Sequence, residues 1–183
     1  QPGADSTADT QLPTGLQLGT GVRVVATQKQ FTVGSLQVTD QTMDMAIDGR
    51  GFFQILQPSG DIAYTRNGEF HLNREGQFVN ASGLLLEPNI TVPEGANNVT
   101  IGVDGVVTAS IPGNPAPQNI GNIDIVDFIN RPGLQPTGQN LYVETAVSGA
   151  PIEGVPGLEG LGSLSQGTLE TSNVNVTEEL VNL

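Results

Sequence analysis

The segment GEFHLNREGQFV, residues 68–79, gives the clearest sign of how this chain folds. The triplet Gly-Glu-Phe at its start is repeated as Gly-Gln-Phe eight residues later. A three-residue loop over 74–76 would place its glycine in the left-handed backbone conformation that such loops favour. In this register Leu72 faces Phe78, and Phe70 lies on the same side because strand side chains alternate. The segment therefore predicts a β-hairpin with one apolar face.

Turn signals of the same kind recur through the middle of the chain. They separate short apolar runs at intervals mostly near the ~8–12 residues typical of antiparallel β folds. The Asn-Gly and Asp-Gly pairs among them favour type I′ hairpin turns. The fold class predicted is mainly β, an antiparallel hairpin-rich body. Its turns are expected at 48–51, 58–61, 67–68, 73–76, 81–83 and 104–105.

The composition excludes several classes of partner. Lys and Arg total 6 against 19 Asp and Glu, for a net charge of −13. A nucleic-acid partner is excluded, because a protein that binds nucleic acid needs clustered Lys and Arg side chains to displace the phosphate counterions. The longest apolar runs, such as 84–86, are far shorter than the ~20 residues of a membrane helix, so no membrane insertion is expected. The chain has no cysteine, which excludes thiolate nucleophiles and cysteine zinc sites.

The sequence offers no catalytic, cofactor-binding or metal-binding group. Its single histidine, His71, alternates with Phe70 and Leu72 and is interpreted as a strand residue on the polar face. The acidic segment 44–49 lacks the alternating oxygen ligands of an EF-hand. The glycine turns lack the Lys-Ser/Thr of a phosphate loop, and no pair of acids is singled out for glycoside chemistry. We therefore expect no enzyme activity, no cofactor and no metal.

The two ends of the chain differ from its β body. Residues 1–14 are polar and contain proline, which predicts an extended arm. Residues 15–170 form the predicted β-rich body, with subdomains an open alternative, and 148–167 is read as a long Gly- and Pro-rich loop. Residues 171–183 are interpreted as the start of a C-terminal helix.

The helix prediction depends on capping and periodicity. Asn175 can cap a helix, and Glu178 follows three residues later, close to a capping box. Val176, Leu180 and Leu183 then form one apolar stripe. About two turns are too short for an isolated stable helix. We therefore expect the natural protein to continue past Leu183.

Three separated segments resemble the bacterial flagellar rod and hook family of axial proteins. They are DMAIDGRGFFQI at 44–55, YTRNGEFHLNREGQFVNASG at 64–83 and QGTLETSNVNVTEEL at 166–180. Segments 11–22 and 133–151 resemble the distal-rod branch of that family in particular. The residues that match the family motifs, and that the resemblance implies are structural, are Gly49, Gly51, Phe52, Phe53, Tyr64, Thr65, Arg66, Gly68, Phe70, Gly76, Gly167, Glu170, Ser172, Asn173, Val174 and Asn175.

The resemblance implies a structural role. Copies of the chain would assemble helically into the rigid, periplasm-spanning drive shaft of the flagellar basal body, which transmits motor torque to the hook. The implied partners are other copies of the chain, the proximal rod proteins, the hook protein, the surrounding P- and L-ring bushing and the flagellar export apparatus. Export would need no cleaved signal peptide. The resemblance further implies that the family's terminal coiled-coil domain is absent from these residues.

Two alternatives remain open at the level of sequence. One is a β-rich extracellular binding or adhesin-like module, and the other is a different axial member, a proximal rod or hook protein.

The resemblance also bears on the N-terminal arm. Family members that form the distal rod have an extended segment at the position of this arm. The resemblance therefore makes Leu12, Pro13 and Leu16 candidate subunit contacts. Ordering each arm residue would cost about 1–2 kcal/mol of backbone entropy, so we expect it to order only against a neighbouring subunit.

Overall fold

The computed structural model describes residues 34–171, which form short β-strands joined by tight turns. Within this range the helical structure is one 3-10 turn, Arg131–Gly133, and no helix is long and apolar enough to cross a membrane. The strands are β1 Leu36–Val38, β2 Met45–Asp48, β3 Phe53–Leu56, β4 Ile62–Thr65, β5 His71–Leu72, β6 Phe78–Val79, β7 Leu85–Glu87, β8 Asn97–Ile101, β9 Val106–Ser110, β10 Gln118–Asn122, β11 Ile125–Asp127, β12 Gln135–Gly138, β13 Leu141–Val143, β14 Ile152–Gly154, β15 Ser163–Gln166 and β16 Thr168–Glu170.

The strands pair antiparallel, which confirms the predicted fold class. The largest sheet has seven strands in the order β12-β13-β4-β3-β7-β6-β5. A three-stranded meander, β10-β9-β8, and three two-stranded ribbons, β1–β16, β2–β15 and β11–β14, complete the described region. Two of these ribbons join strands far apart in sequence, so their pairing depends on the folded core and not on a turn.

The hairpin predicted over 68–79 is confirmed in its register and in its turn. Leu72 pairs with Phe78, and Gly76 has φ +85°. The side-chain oxygen of Asn73 accepts the backbone N–H of Gln77 at 2.8 Å, which closes the loop. His71 lies exposed on β5, as expected for the polar face.

Four hairpins use this same three-residue loop with a left-handed glycine in its last position. They span 57–61, 73–77, 80–84 and 102–106. The expectation of type I′ turns is wrong, because that turn needs positive φ at both central residues. At 104–105 only the glycine has positive φ, and at 67–68 neither residue does. The extra loop residue lets Asp104 keep an ordinary backbone conformation.

A valine at Gly76 is expected to lower the free energy of unfolding by about 2 kcal/mol or more. The left-handed backbone opposes a β-branched side chain, and a Cβ there would lie 2.5 Å from the carbonyl oxygen of Val92. Gly83→Val is the matched control, because φ is +84° there and a Cβ would meet open space. Urea unfolding should show the larger loss for Gly76→Val. Equal losses would mean that backbone strain alone sets the cost.

Most of the buried apolar side chains of the described region form one cluster, while Phe52, Val126, Phe128 and Leu134 are buried outside it. The cluster takes Phe53 and Ile55 from the seven-stranded sheet, Val107 from the meander and Ile47 and Leu164 from the β2–β15 ribbon. At roughly 25 cal/mol per Å² of apolar surface, burial of this kind is the main stabilising term of the fold. The sheets are therefore faces of one core.

Gln166 fastens the three-stranded meander to the β2–β15 ribbon. Its side-chain nitrogen donates to the carbonyl oxygens of Thr42 and Val99, each at 2.8 Å. Its side-chain oxygen accepts the backbone N–H of Ile101 at 3.0 Å. All three groups of the amide are therefore used, which fixes the relative position of β8 and β15.

The interpretation of 148–167 as a long loop is wrong, because this segment contains β14 and β15. Its glycines and prolines form the turns at 155–162, and the short strands between them pair with β11 and β2. The arm predicted at 1–14 and the candidate subunit contacts Leu12, Pro13 and Leu16 lie outside the described residues. The helix predicted over 171–183 also lies outside them, apart from its first residue.

Candidate functional site: a partly buried Arg66–Glu170 pair

The three motif segments meet at the guanidinium of Arg66, which follows β4. Its Nη1 donates to the carbonyl oxygens of Gly49 and Gly51 at 2.8 and 2.7 Å. Its Nη2 donates to the carbonyl oxygen of Ile47 at 3.2 Å. A planar fork of donors suits this use, because a guanidinium can satisfy several acceptors from one fixed position. Arg66 therefore holds the backbone that links β2 to β3.

The same guanidinium forms a two-point ion pair with Glu170 on β16. Its Nε and Nη2 each lie 3.1 Å from a carboxylate oxygen of Glu170. The two side chains are only 15% and 10% exposed. Bidentate arginine–carboxylate pairs are both directional and stronger than neutral hydrogen bonds. The pair thus connects a residue of the second motif to one 104 positions later in the third.

Glu170 also anchors the other strand of its ribbon. One oxygen of its carboxylate accepts the backbone N–H of Gly34, just before β1. A Cβ at Gly34 would lie 2.2 Å from the carbonyl oxygen of Thr171, so only glycine allows this approach. The Arg66–Glu170 pair therefore fixes both strands of the β1–β16 ribbon to the core.

Two motif glycines shape the loop that Arg66 holds. Gly49 and Gly51 have φ of +132° and +133°. A Cβ at Gly49 would come within 2.6 Å of the Cα of Gly162, and one at Gly51 within 2.8 Å of the Ile125 side chain. The N–H of Gly162 donates to the carbonyl oxygen of Arg50 at 2.8 Å, which holds the two segments together. Glycine is therefore required at 49 by its packing on the Gly162 backbone, and at both positions by the left-handed φ.

The motif aromatic residues are buried and pack in edge-to-face contacts. Phe53 and Phe70 make an edge-to-face contact with ring centroids 5.4 Å apart. Phe52 and Tyr64 both contact Phe128, at 5.9 and 4.9 Å between centroids. Such pairs add about 0.5–1.5 kcal/mol each beyond their buried area. Phe52 and Phe53 directly follow the loop in the sequence, so these contacts anchor its C-terminal end in the buried interior.

The remaining predicted residues have separate positions. Thr65 caps the backbone N–H of Asn67 at 3.0 Å with its hydroxyl. Gly167 joins β15 to β16, and its N–H donates to the carbonyl oxygen of Asp44 at 2.8 Å. Gly76 lies at the hairpin tip against Val92, away from Arg66. Ser172, Asn173, Val174 and Asn175 lie outside the described residues.

Sequence reasoning missed two contributors to this arrangement, Gly34 and Gly162. Gly162 is one of several glycines in a turn-rich segment, and only its contact with Gly49 distinguishes it. It also missed the role of Gln166, the first residue of the third motif segment, in joining β8 to β15. Within residues 34–171, no three His, Cys, Asp or Glu side chains are placed to hold a metal ion.

One titratable group near the site has an altered pKa. Burial raises the pKa of Tyr64 to about 12, and the carboxylates of Glu144 and Glu153 contribute in the same direction. The tyrosine is only 3% exposed. Gln54, its cross-strand neighbour, donates to Glu153 at 3.2 Å. Tyr64 is therefore a protonated packing residue at neutral pH.

Stability is expected to fall as pH rises from about 10 to about 12, through the titration of Tyr64. The unfolded phenol, with its ordinary pKa of 10, loses its proton in this window while the folded one keeps it. The loss is at most about 2–3 kcal/mol. Tyr64→Phe should remove this component, which urea unfolding across the window would measure. Identical pH dependence in the two proteins would contradict the assignment.

Two family models match parts of the chain. The flagellar hook protein FlgE/F/G D1 domain matches residues 46–109. The flagellar basal body rod FlgEFG protein C-terminal model matches residues 165–183. Arg66 lies in the first match and Glu170 in the second, so the ion pair joins the two matched regions.

Known rod proteins match nearly the whole chain. The flagellar basal-body rod protein FlgG of Buchnera aphidicola (subsp. Schizaphis graminum) is 51% identical over 183 residues, covering 100% of this chain and 70% of that protein. This chain belongs to the flagellar basal-body rod protein FlgG family. The FlgG of Caulobacter vibrioides is 41% identical, over 99% of this chain and 70% of that protein.

The hook protein is a more distant relative of this FlgG-family chain. The flagellar hook protein FlgE of Escherichia coli is 32% identical over 52% of this chain and 25% of that protein. The matches to rod proteins are longer and closer. They resolve the choice among axial members that the sequence left open, in favour of the rod.

Proposed function

We propose that this FlgG-family chain is a structural subunit of the flagellar distal rod. The observation that carries the proposal is the similarity to rod proteins along the whole chain, at 51% identity in the first case. A rigid β body with one core suits a load-bearing subunit, because close-packed interiors transmit strain. Family membership favours this role over the adhesin-like alternative.

Within this role, the Arg66–Glu170 pair connects two parts of the β body. Load that reaches the β1–β16 ribbon would pass through the pair to the loop 49–51 and the aromatic side chains that follow it. The pair is suited to this because it is bidentate and nearly buried, so water competes weakly for its groups. The proposal includes no catalytic step, cofactor or metal.

The wider role follows the same proposal. Copies of the chain assemble helically into a rigid shaft that spans the periplasm and transmits motor torque to the hook. Its neighbours are the proximal rod proteins, the hook protein and the P- and L-ring bushing. The flagellar export apparatus delivers it without a cleaved signal peptide. The domain plan is the arm at 1–14, the body at 15–170 and a C-terminal helix from 171.

Localisation in cells tests the rod role. A full-length protein that carries this sequence and an epitope tag would replace the rod protein of a flagellated bacterium. We expect restored swimming and the tag in the rod of purified basal bodies. A subunit that is exported and folded but absent from basal bodies would overturn the proposal. Recovery of that subunit on the cell surface, bound to glycans, would favour the adhesin-like alternative.

A further inference from the structure

The pair Asn67-Gly68 is the one Asn-Gly step in the sequence, and it directly follows Arg66. An asparagine at such a step is open to spontaneous deamidation. The backbone nitrogen of the glycine bonds to the side-chain carbonyl carbon, ammonia leaves with the proton of that nitrogen, and a cyclic imide remains. Water then opens the imide at either carbonyl carbon, which yields aspartate or isoaspartate. Glycine favours the ring closure, because it has no side chain to hinder the approach.

The asparagine of this pair is accessible to water. Asn67 is exposed, in the turn between β4 and β5. Its side-chain oxygen accepts the backbone N–H of Glu69 at 3.2 Å, and its own N–H donates to the hydroxyl of Thr65 at 3.0 Å. Neither bond covers the side-chain carbonyl carbon. Both the sequence and the access of water therefore favour the reaction at this position.

The glycine of this pair, in contrast, is buried and fixed against β2. The carbonyl oxygen of Gly68 accepts the backbone N–H of Met45 at 3.0 Å. A Cβ on Gly68 would lie 1.7 Å from the carbonyl oxygen of Met45, so the Gly68 backbone is pressed closely against that strand. Imide formation moves the Gly68 nitrogen and rotates its peptide bond. The reaction therefore requires this backbone contact to open.

We propose that Asn67 is a latent site of deamidation, which the fold protects by fixing the Gly68 backbone against β2. The rate in the folded chain is then the rate in the unfolded chain multiplied by the fraction of molecules in which the contact is open. Packed strands open far less often than frayed ends or loops, so that fraction is small. The inference depends on the fold alone, and the rod role stands or fails separately.

Modification would damage the site that Arg66 forms. Its guanidinium holds the backbone of the loop 49–51 and pairs with Glu170. Isoaspartate adds a carbon atom to the main chain directly after Arg66. The added atom shifts Gly68 relative to Arg66, so the ion pair and the hydrogen bond from Met45 compete for the same stretch of chain. A molecule that has stayed open long enough to react would therefore refold less stably.

A comparison of the folded chain with the chain unfolded in guanidinium chloride tests the protection. Both samples are kept at the same mildly alkaline pH, at which the backbone nitrogen loses its proton more readily. Tandem mass spectrometry follows the conversion at 67. We expect the unfolded chain to convert at least about tenfold faster. Equal rates would overturn the proposal, and so would an unfolded chain that does not convert at 67.

Asn73 is the matched control within the same chain. Its side-chain oxygen accepts the backbone N–H of Glu75 two residues later at 3.0 Å, just as that of Asn67 accepts the N–H of Glu69. The residue that follows it is Arg74, which is not glycine. We expect far less conversion at 73 than at 67 in the unfolded chain. Similar conversion at both positions would refute the Asn-Gly step as the reactive feature.

Hydrogen exchange shows whether the Gly68 contact is the source of the protection. The amide of Met45 donates to Gly68, so it exchanges only when that contact opens. The factor by which folding slows conversion at 67 should equal the exchange protection of this amide within about tenfold. Both factors should fall together as denaturant is added below the unfolding transition. Rapid conversion at 67 while the Met45 amide stays protected would contradict the mechanism.

The isoaspartate form tests the predicted damage. It would be separated from the treated chain, refolded and unfolded again with urea. Asn67→Asp is the control, because it adds the same charge and keeps the main chain at its ordinary length. We expect the isoaspartate form to unfold at a lower urea concentration than Asn67→Asp. Equal midpoints would mean that the added carbon does not disturb the Arg66 site.

Discussion

Replacing Arg66 with alanine is expected to lower the free energy of unfolding by about 3 kcal/mol, near the lower end of the cost of breaking a buried ion pair on one side, because the two side chains are still 15% and 10% exposed. The carboxylate of Glu170 would keep one hydrogen bond, from Gly34, but lose both contacts with the guanidinium. The carbonyl oxygens of Gly49 and Gly51 would lose their donor as well. Urea unfolding of the chain measures the change.

The matched control is Arg74→Ala, in the turn of the β5–β6 hairpin. It removes the same side chain and the same charge, and no ion pair of the described residues includes it. We expect a change within about 0.5 kcal/mol, as for ordinary surface positions. A loss at Arg66 no greater than at Arg74 would show that the buried pair does not stabilise the body.

A double-mutant cycle isolates the pair itself. Glu170→Ala alone should also destabilise, because it leaves the Arg66 charge without its carboxylate. The double variant should lose less than the sum of the two single variants, since neither charge is then left unpaired. Strict additivity would mean that Arg66 acts through the carbonyl oxygens of its loop alone.

The sequence was most informative where structure is local. The hairpin at 68–79 could be predicted to the residue, because loop length, glycine position and strand alternation all lie within twelve residues. The same locality explains the error over 148–167. Its strands have weak sequence signals of their own, and β14 forms because β11 provides a partner strand.

The candidate site, unlike the hairpin, could not be predicted from local sequence. The motif resemblance indicated Arg66 and Glu170 separately, and no periodicity connects residues 104 positions apart. Their pairing follows from the tertiary path of the chain, which brings β16 back beside β1. Gly34 and Gly162 were missed for the same reason, since each is required by a backbone segment distant in sequence.

The second large effect is expected at Gly68, a motif residue whose small size is essential. A Cβ there would lie 1.7 Å from the carbonyl oxygen of Met45 and 3.2 Å from the ring of Phe53. The atom that must move is backbone, and the N–H of Met45 donates to the carbonyl oxygen of Gly68 at 3.0 Å. An alanine cannot be accommodated unless β2 shifts and this hydrogen bond weakens.

Two opposing effects decide the outcome of Gly68→Ala. Gly68 does not have a left-handed φ, so alanine suits its backbone and would restrict the unfolded chain, a gain of about 0.4–1 kcal/mol. Overpacking against fixed backbone costs about 1–3 kcal/mol or more, and the weakened hydrogen bond adds about 1 kcal/mol. The clash therefore outweighs the gain, and we expect the free energy of unfolding measured with urea to fall by roughly 2–3 kcal/mol.

Gly154→Ala is the control, because its Cβ would meet only the flexible end of Leu161. We expect it to change the free energy of unfolding by less than about 1 kcal/mol. A stabilised Gly68→Ala protein would mean that β2 can move away from Gly68 at little cost.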